Sequence, residues 1–483
     1  MPVRSFEPIN PATDVATTRT FLHEVIPITG SIISGTYIVG DTEENIKNYT
    51  HGMFQSVYDY PYLSSSANHI FDLTAGYTAA SSLSSSTNVQ NAKKINMYNE
   101  FAQVLLGYTG SKNDIRQFES DLTLDQVNQM KDVFIISLSR LITKDEIKKG
   151  TFQLSLGRGA YQSAFNSTAA TAVWKFSDKP LETTTITIVD YEGTSVTFEI
   201  DNEADGVVSG NTAVDGIAAA GTGATGTAVD LAAKINASAL KVTAAVDDTS
   251  RVTVTQDANG VDGNTAITLS NRTNWDASCS TNVPTTFTGG GDVITLRDSV
   301  AQVDGTGVTN CDGGDYSILF TGSAADTSIG DTGFGAIFYQ AGVVVLTASL
   351  FAGVTEFGSA NRFGAATPEL NVEQTLVQAS ISGACDALRH RILNVQYNNT
   401  TELNSTIYFC RAPVNKFNYS SNPTYVTGSK IRVKERASDN PVAYVTTVGL
   451  YNAANELLAV AKLSEPLKKS VDNELTIRVR LDY

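Results

Sequence analysis

Cysteine is scarce in this chain, with four in 483 residues, at positions 279, 311, 385 and 410. None forms a C-x-x-C pair or a zinc-like spacing, so neither a disulfide scaffold nor a zinc ribbon is expected. The default expectation is a protein assembled in a reducing cytoplasm. Basic charge is also short: 34 Lys and Arg stand against 50 Asp and Glu, a net charge of −16. Such a field repels phosphate backbones, so nucleic acid is not expected as a primary partner. The best basic stretch, KIRVKER at residues 430–436, alternates charge with Ile431 and Val433 and reads as the solvated face of a strand.

Catalytic patterns are missing too. The sequence holds no G-x-S-x-G elbow and no G-x-x-x-x-G-K-[ST] phosphate loop. His23-Glu24 lacks the second histidine of a zinc protease, and the other three, His51, His69 and His390, share no partner spacing. Asp312 and Asp315 in CDGGDYS form a dispersed acid pair with no supporting pattern. The expectation is a non-enzyme with no catalytic, cofactor-binding or metal-binding residues. The opening MPVRSFEPINPATD has no apolar core, so no secretory signal is expected. One run, residues 333–354, is uncharged and long enough to cross a bilayer. Its cluster Val343–Val345 and the break at Gln340-Ala341-Gly342 favour two buried strands over a span. A segment that buries against a partner subunit is the other alternative. No membrane partner is expected.

What the chain has in quantity is Gly, Ser, Thr, Asn and Asp, with 17% charged residues, a composition for turn-rich β structure. Residues 1–85 read as an extended N-terminal arm and an aromatic-rich region. Pro2, Pro8, Pro11 and Pro27 mark an arm that orders against a neighbour. Residues 88–108 predict a helix from Ile95, Met97, Phe101, Val104 and Leu105, and LTLDQVNQM predicts a second, short one. VFIISLSRLI, TFQLSLG and TAVWKF predict strands. Composition changes near Pro180. TTTITIVDY and TSVTFEID flank Glu192-Gly193 as a hairpin, a helix follows from Thr227 to about Asn236, and LKVTAAV, RVTVTQD and NTAITLSN are strands. Beyond 295 come strands, a helix over VEQTLVQASISGACDALRHRIL with a stripe of Val372, Leu376, Ile381, Leu388 and Ile392, and a strand-rich tail.

The fold expectation is therefore α+β, mainly β: an antiparallel β host domain with a few helices and an inserted small ββαβββ module. The domains are residues 1–85, a discontinuous host of 86–180 plus 295–483, and the insert 181–294.

Within the insert, Gly221, Gly223 and Gly226 follow the G-x-G-x-x-G order of a dinucleotide site, with Asp247 and Asp248 at a plausible distance for the ribose acid. The segment before them, DGIAAAG, makes a poor buried strand, and a hairpin follows in place of a second βα unit. The glycines read as a permissive loop before a packed helix, with Thr227 and Asp230 at its cap. Two loops carry oxygen ligands suited to calcium. Asp201, Glu203, Asp205 and Gly206 begin like a carboxylate loop, but Thr212 stands where an EF-hand needs glutamate. Asp257, Asn259 and Asp262 form the other, and ordinary turn chemistry explains both.

The insert, from TTTITIVDYEGTSVTFEID through TAVDLAAKINASALKVTAAV to TQDANGVDGNTAITLSN, resembles a small module that recurs in phage structural proteins. QSVYDYPYLSSSANHIFDLTAGY, SRLITKDEIKKGTFQLSLG and AYVTTVGLYNAANELLAVAKLSEPLKKS are similar to virion structural proteins of marine contractile-tailed bacteriophages. The resemblance implies a structural subunit of the tail or baseplate, located in the virion and assembled in the host cytoplasm. Its partners would be other virion proteins and copies of itself. The alternatives are a head decoration, neck or collar protein, or a tail-tip module in which the insert meets a host surface receptor.

Overall fold

A computed structural model describes residues 6–33, 37–39, 42–109, 114–215, 223–248, 250–271, 273, 284–298, 308–321, 333–354, 356–359, 369–419, 426–427, 430–431, 436, 438 and 440–483. The chain divides into two compact units, Met1–Leu22 with Thr401–Tyr483, and His23–Thr400.

The larger unit is built on a mainly antiparallel sheet. From residues 392–400 its strands run in the order Gln153–Gly157, Val293–Asp298, Gly314–Thr321, Gly335–Phe338, Val343–Thr347, Asp132–Leu138, His69–Tyr77, Gln55–Tyr58 and Ile46–Asn48. The apolar run at 333–354 is a hairpin of two such strands, turning through Gly342 at φ 67°. The positive φ explains the glycine. Register explains why this stretch is apolar throughout. Leu73, Ile136, Val344 and Ile337 align across four strands and enter one core, while Ile135, Val345 and Ala336 align on the opposite face and enter another. A strand covered on both faces needs no alternation.

Helix Asn91–Leu106 covers the second face with Tyr98, Ala102, Leu105 and Leu106. Val104, placed in the buried stripe from periodicity, is exposed. The first face receives Leu376, Ile381, Ala384 and Leu388. The single helix expected over this segment is two, Val372–Gln378 and Ile381–Arg389. Ala379 and Ser380 are extended, and Ser380 caps the second helix by accepting from the Gly383 N–H at 3.2 Å. Ile392 then opens a strand. Among the described residues no helix is long and apolar enough to cross a membrane.

LTLDQVNQM is not a helix. Side chains capture its backbone instead: Asp121 Oδ1 accepts from the Thr123 N–H at 3.1 Å, and Glu119 Oε1 accepts from the Gln126 N–H at 3.0 Å. Gln126 and Asn128 adopt positive φ. Local polar bonds thus outcompete the helical ladder. Glu119 is buried, its Oε2 has no hydrogen-bond partner, and burial pushes its carboxyl up to about 7. A raised folded-state pKa stabilises the fold at low pH. Its contribution is fully present below the unfolded value of about 4.5 and is lost as pH rises through about 7. Replacing Glu119 with Gln should flatten urea stability between these limits, and an unchanged pH slope would refute the assignment.

Residues 169–269 make two further sheets. Ala169–Lys175, Arg251–Asn259 and Val242–Asp248 form one; Thr212–Val214, Ser195–Ile200, Thr185–Val189 and Ile267–Leu269 form the other. Their common core holds Trp174, Ile186, Phe198, Leu231, Ile235 and Val254, with helix Ala224–Asn236 packed in. The expected hairpin at Gly193 is present, with φ 85°. TAVWKF, read from sequence as the end of the preceding stretch, pairs with Arg251–Asn259. Residues 55–58 and 69–77, read as part of the N-terminal region, lie within the large sheet.

In the smaller unit, residues 401–412 are flanked by Leu475–Asp482, with Ser405 opposite Asp482 and Ala412 opposite Leu475. Residues 15–22 lie on the other side, where Asp14 C=O accepts from the Phe409 N–H at 2.8 Å and Arg19 pairs with Glu402. A long hairpin, Val442–Tyr451 with Leu457–Ser470, completes the unit.

Candidate assembly surface

The hairpin turn is held by Asn452, whose Oδ1 accepts from the N–H groups of Ala454 at 3.0 Å and Glu456 at 2.8 Å. Asn455 takes φ 61°, an asparagine-tolerated left-handed conformation. At the other end Lys469 is buried and donates to Asn418 Oδ1 at 2.6 Å and Ser470 O at 2.8 Å. Phe6 packs edge-on against Tyr451 at 5.1 Å. Between these anchors, among the described residues, the two strands pair only with each other. Their side chains are largely exposed: Leu458 at 68%, Val460 at 52%, and also Tyr444, Leu457 and Leu467. Phe21 and Leu22 of the N-terminal strand are exposed as well. A two-stranded ribbon with apolar residues in water is marginal by itself.

The sequence candidates for chemistry are dispersed. Gly221 lies outside the described residues. Gly223 caps helix Ala224–Asn236 at φ 73° without a side-chain cap, and Gly226 is buried within the helix. The cap expected from Thr227 and Asp230 is absent: Thr227 Oγ1 donates back to Gly223 O, and Asp230 accepts from the Asp215 N–H at 2.6 Å. The strand before the glycines, Thr212–Val214, and the strand after the helix, Val242–Asp248, belong to different sheets. Asp257 accepts from Thr243, Asn259 donates to Ser167, and Asp262 faces Arg158 at 4.0 Å, so these three serve separate contacts. Asp315 pairs with Lys149, and its carboxyl is held low by Asn310 first and Lys149 second.

The four histidines have local partners. His23 meets Asn399 O at 3.3 Å, His51 stacks on Tyr49, His69 pairs with Asp72 at 2.8 Å, and His390 packs edge-on against Tyr161. Cys385 is buried and Cys311 and Cys410 are half-buried, all as free thiols; Cys279 is outside the described residues. Of KIRVKER, Lys430–Ile431 forms a short strand with Val426–Thr427, and most of the remainder lies outside the described residues.

Two clusters draw in residues that the sequence reading leaves out: Glu43 and Asp386 beside His390 in one, and Glu182 beside Asp201 and Asp205 in the other. Glu43, Asp386 and His390 converge around the wholly buried Arg389, and Glu182, Asp201 and Asp205 converge at the ends of the two central strands of the four-stranded sheet. In each, one member is distant in the chain, Glu43 in the first and Glu182 in the second, and no local spacing announces that member. Comparison with known protein families, characterised proteins and solved structures gives no match.

Proposed function

We propose that this chain is a structural subunit of a tailed-phage virion, in the tail or baseplate, working through symmetric contacts with copies of itself and other virion proteins. The observation that carries the reading is the hairpin Val442–Tyr451 with Leu457–Ser470, which leaves Leu457, Leu458 and Val460 exposed on strands that, among the described residues, pair only with each other. Burying such residues against a neighbour is worth roughly 1.5–3 kcal/mol for each fully covered side chain. The motif resemblance supplies the virion context. The reading is non-enzymatic, and it treats residues 181–294 as an inserted ββαβββ module, whose core also takes Ala170, Ala172, Trp174 and Phe176 from the strand before it.

Two experiments test it. Gold labelling of virions with an antibody against residues 181–290 should mark the tail end. Label on the head or neck would favour a decoration, neck or collar protein, and absence from particles would sink the proposal. Replacing Leu458 and Val460 with Asp should leave circular dichroism unchanged while cutting incorporation at least tenfold, equivalent to about 1.4 kcal/mol. Normal incorporation would remove the hairpin from the assembly surface. Deleting residues 181–290 separates the tail-tip alternative, for which particles would form yet fail to adsorb.

A further inference from the structure

We propose that Glu182, Asp201 and Asp205 form a calcium site. One carboxylate oxygen from each lies within 4.8 Å of the other two. Mg²⁺ demands near-ideal octahedral geometry and dehydrates reluctantly, whereas Ca²⁺ accepts several carboxylates in irregular arrangements, so three carboxylates from a loop and two strand ends favour calcium. The set is all oxygen, with neither imidazole nor thiolate, which favours a hard cation over zinc or copper.

The second observation concerns Asp201 itself. It is only 8% exposed, and its Oδ1 is buried without any hydrogen-bond partner. An ionised carboxylate accepts and cannot donate, so a buried carboxylate with an unpartnered oxygen, grouped with two further carboxylates, calls for positive charge. The adjacent Asn202 Oδ1 is likewise buried and without a partner. Among the described residues no Lys, Arg or His pairs with any of the three acids. The cluster of Glu43, Asp386 and His390 is the instructive contrast, because Arg389 already fills it.

The local fold prepares the site. Asp201 follows strand Ser195–Ile200 and donates its N–H to Val214 O at 3.0 Å. Glu182 precedes strand Thr185–Val189 and is aimed by the Asn202 N–H, which donates to its Oε2 at 2.6 Å. The intervening loop reverses through Ala204 at φ 54° and Gly206 at φ 103°, bringing the exposed Asp205 back over Asp201. Glu199 holds the far end by accepting from the Val208 N–H and Asn211 Nδ2. Asp205, open to solvent, leaves room for water ligands. The sequence pattern groups Asp201 and Asp205 with Glu203; the third ligand is instead Glu182.

Calorimetric titration of the purified full chain with CaCl₂ and, separately, MgCl₂ tests the site. One calcium per chain is expected, with a dissociation constant in the range of about 10⁻⁶–10⁻³ M and at least tenfold preference over magnesium. Asp201→Asn and Asp205→Asn should each weaken calcium binding at least tenfold. Calcium should raise the thermal midpoint of the wild type and leave that of Asp201→Asn unchanged. Asp205 is exposed, so its variant keeps the test valid even where Asp201→Asn fails to fold. Absence of saturable binding, equal binding of magnesium, or wild-type affinity in Asp205→Asn would each overturn the proposal.

Discussion

Replacing Arg389 with Met is expected to destabilise the larger unit by about 3–5 kcal/mol, the cost of removing one partner from a buried ion pair. Arg389 is fully buried at the end of helix Ile381–Arg389. Its Nη1 donates to Ile33 O and Glu43 Oε1, both at 2.9 Å, its Nη2 donates to Glu43 and to Asp386 Oδ1, and its Nε donates to Gln55 Oε1 at 3.1 Å. One guanidinium therefore ties the helix to strands Thr42–Glu43 and Gln55–Tyr58. Methionine fills similar volume but leaves Glu43 and Asp386 facing each other without a cation. Urea denaturation near pH 7 measures the loss. The triple variant with Glu43→Gln and Asp386→Asn should recover part of it, because the unbalanced charge is then gone. A loss below about 1 kcal/mol in the single variant would place this cluster with ordinary surface pairs.

Local chemistry was legible in the sequence; long-range partnership was not. The turns at Gly193 and Gly342 carry their own residues, and each hairpin lies where its turn chemistry puts it. Helix Asn91–Leu106 follows from periodicity, though Val104 shows that apolar spacing marks the wrong residue when a small Ala102 takes the packed position. The failures share a cause. Glu119 and Asp121 bind backbone that helical propensity would otherwise claim, and propensity does not register such caps. Glu43 lies 346 positions from Arg389, and Glu182 and Asp201 meet only because strands Thr185–Val189 and Ser195–Ile200 pair. Cross-strand register has no signature in a single sequence.

Trp174 separates two views of where the small β domain begins. TAVWKF reads as the last strand of the preceding stretch, yet Trp174 is fully buried in the small core, opposite Val252 in register and edge-on to Phe287 at 6.4 Å. Its indole nitrogen has no hydrogen-bond partner, so the side chain contributes through packing alone. Trp174→Ala is therefore expected to cost about 3–5 kcal/mol. The loss should be local. Amide exchange should accelerate in Thr185–Val189, Ser195–Ile200 and Arg251–Asn259, while Asp132–Leu138 and Val343–Thr347 keep their protection, because their apolar side chains belong to other cores. Equal acceleration in both sets would mean that the small sheets and the large one unfold as a single cooperative unit. Unchanged exchange in both would remove Trp174 from the small core. Local acceleration would move the start of the folding unit from the composition change near Pro180 back to strand Ala169–Lys175, because what defines such a unit is the core its side chains enter.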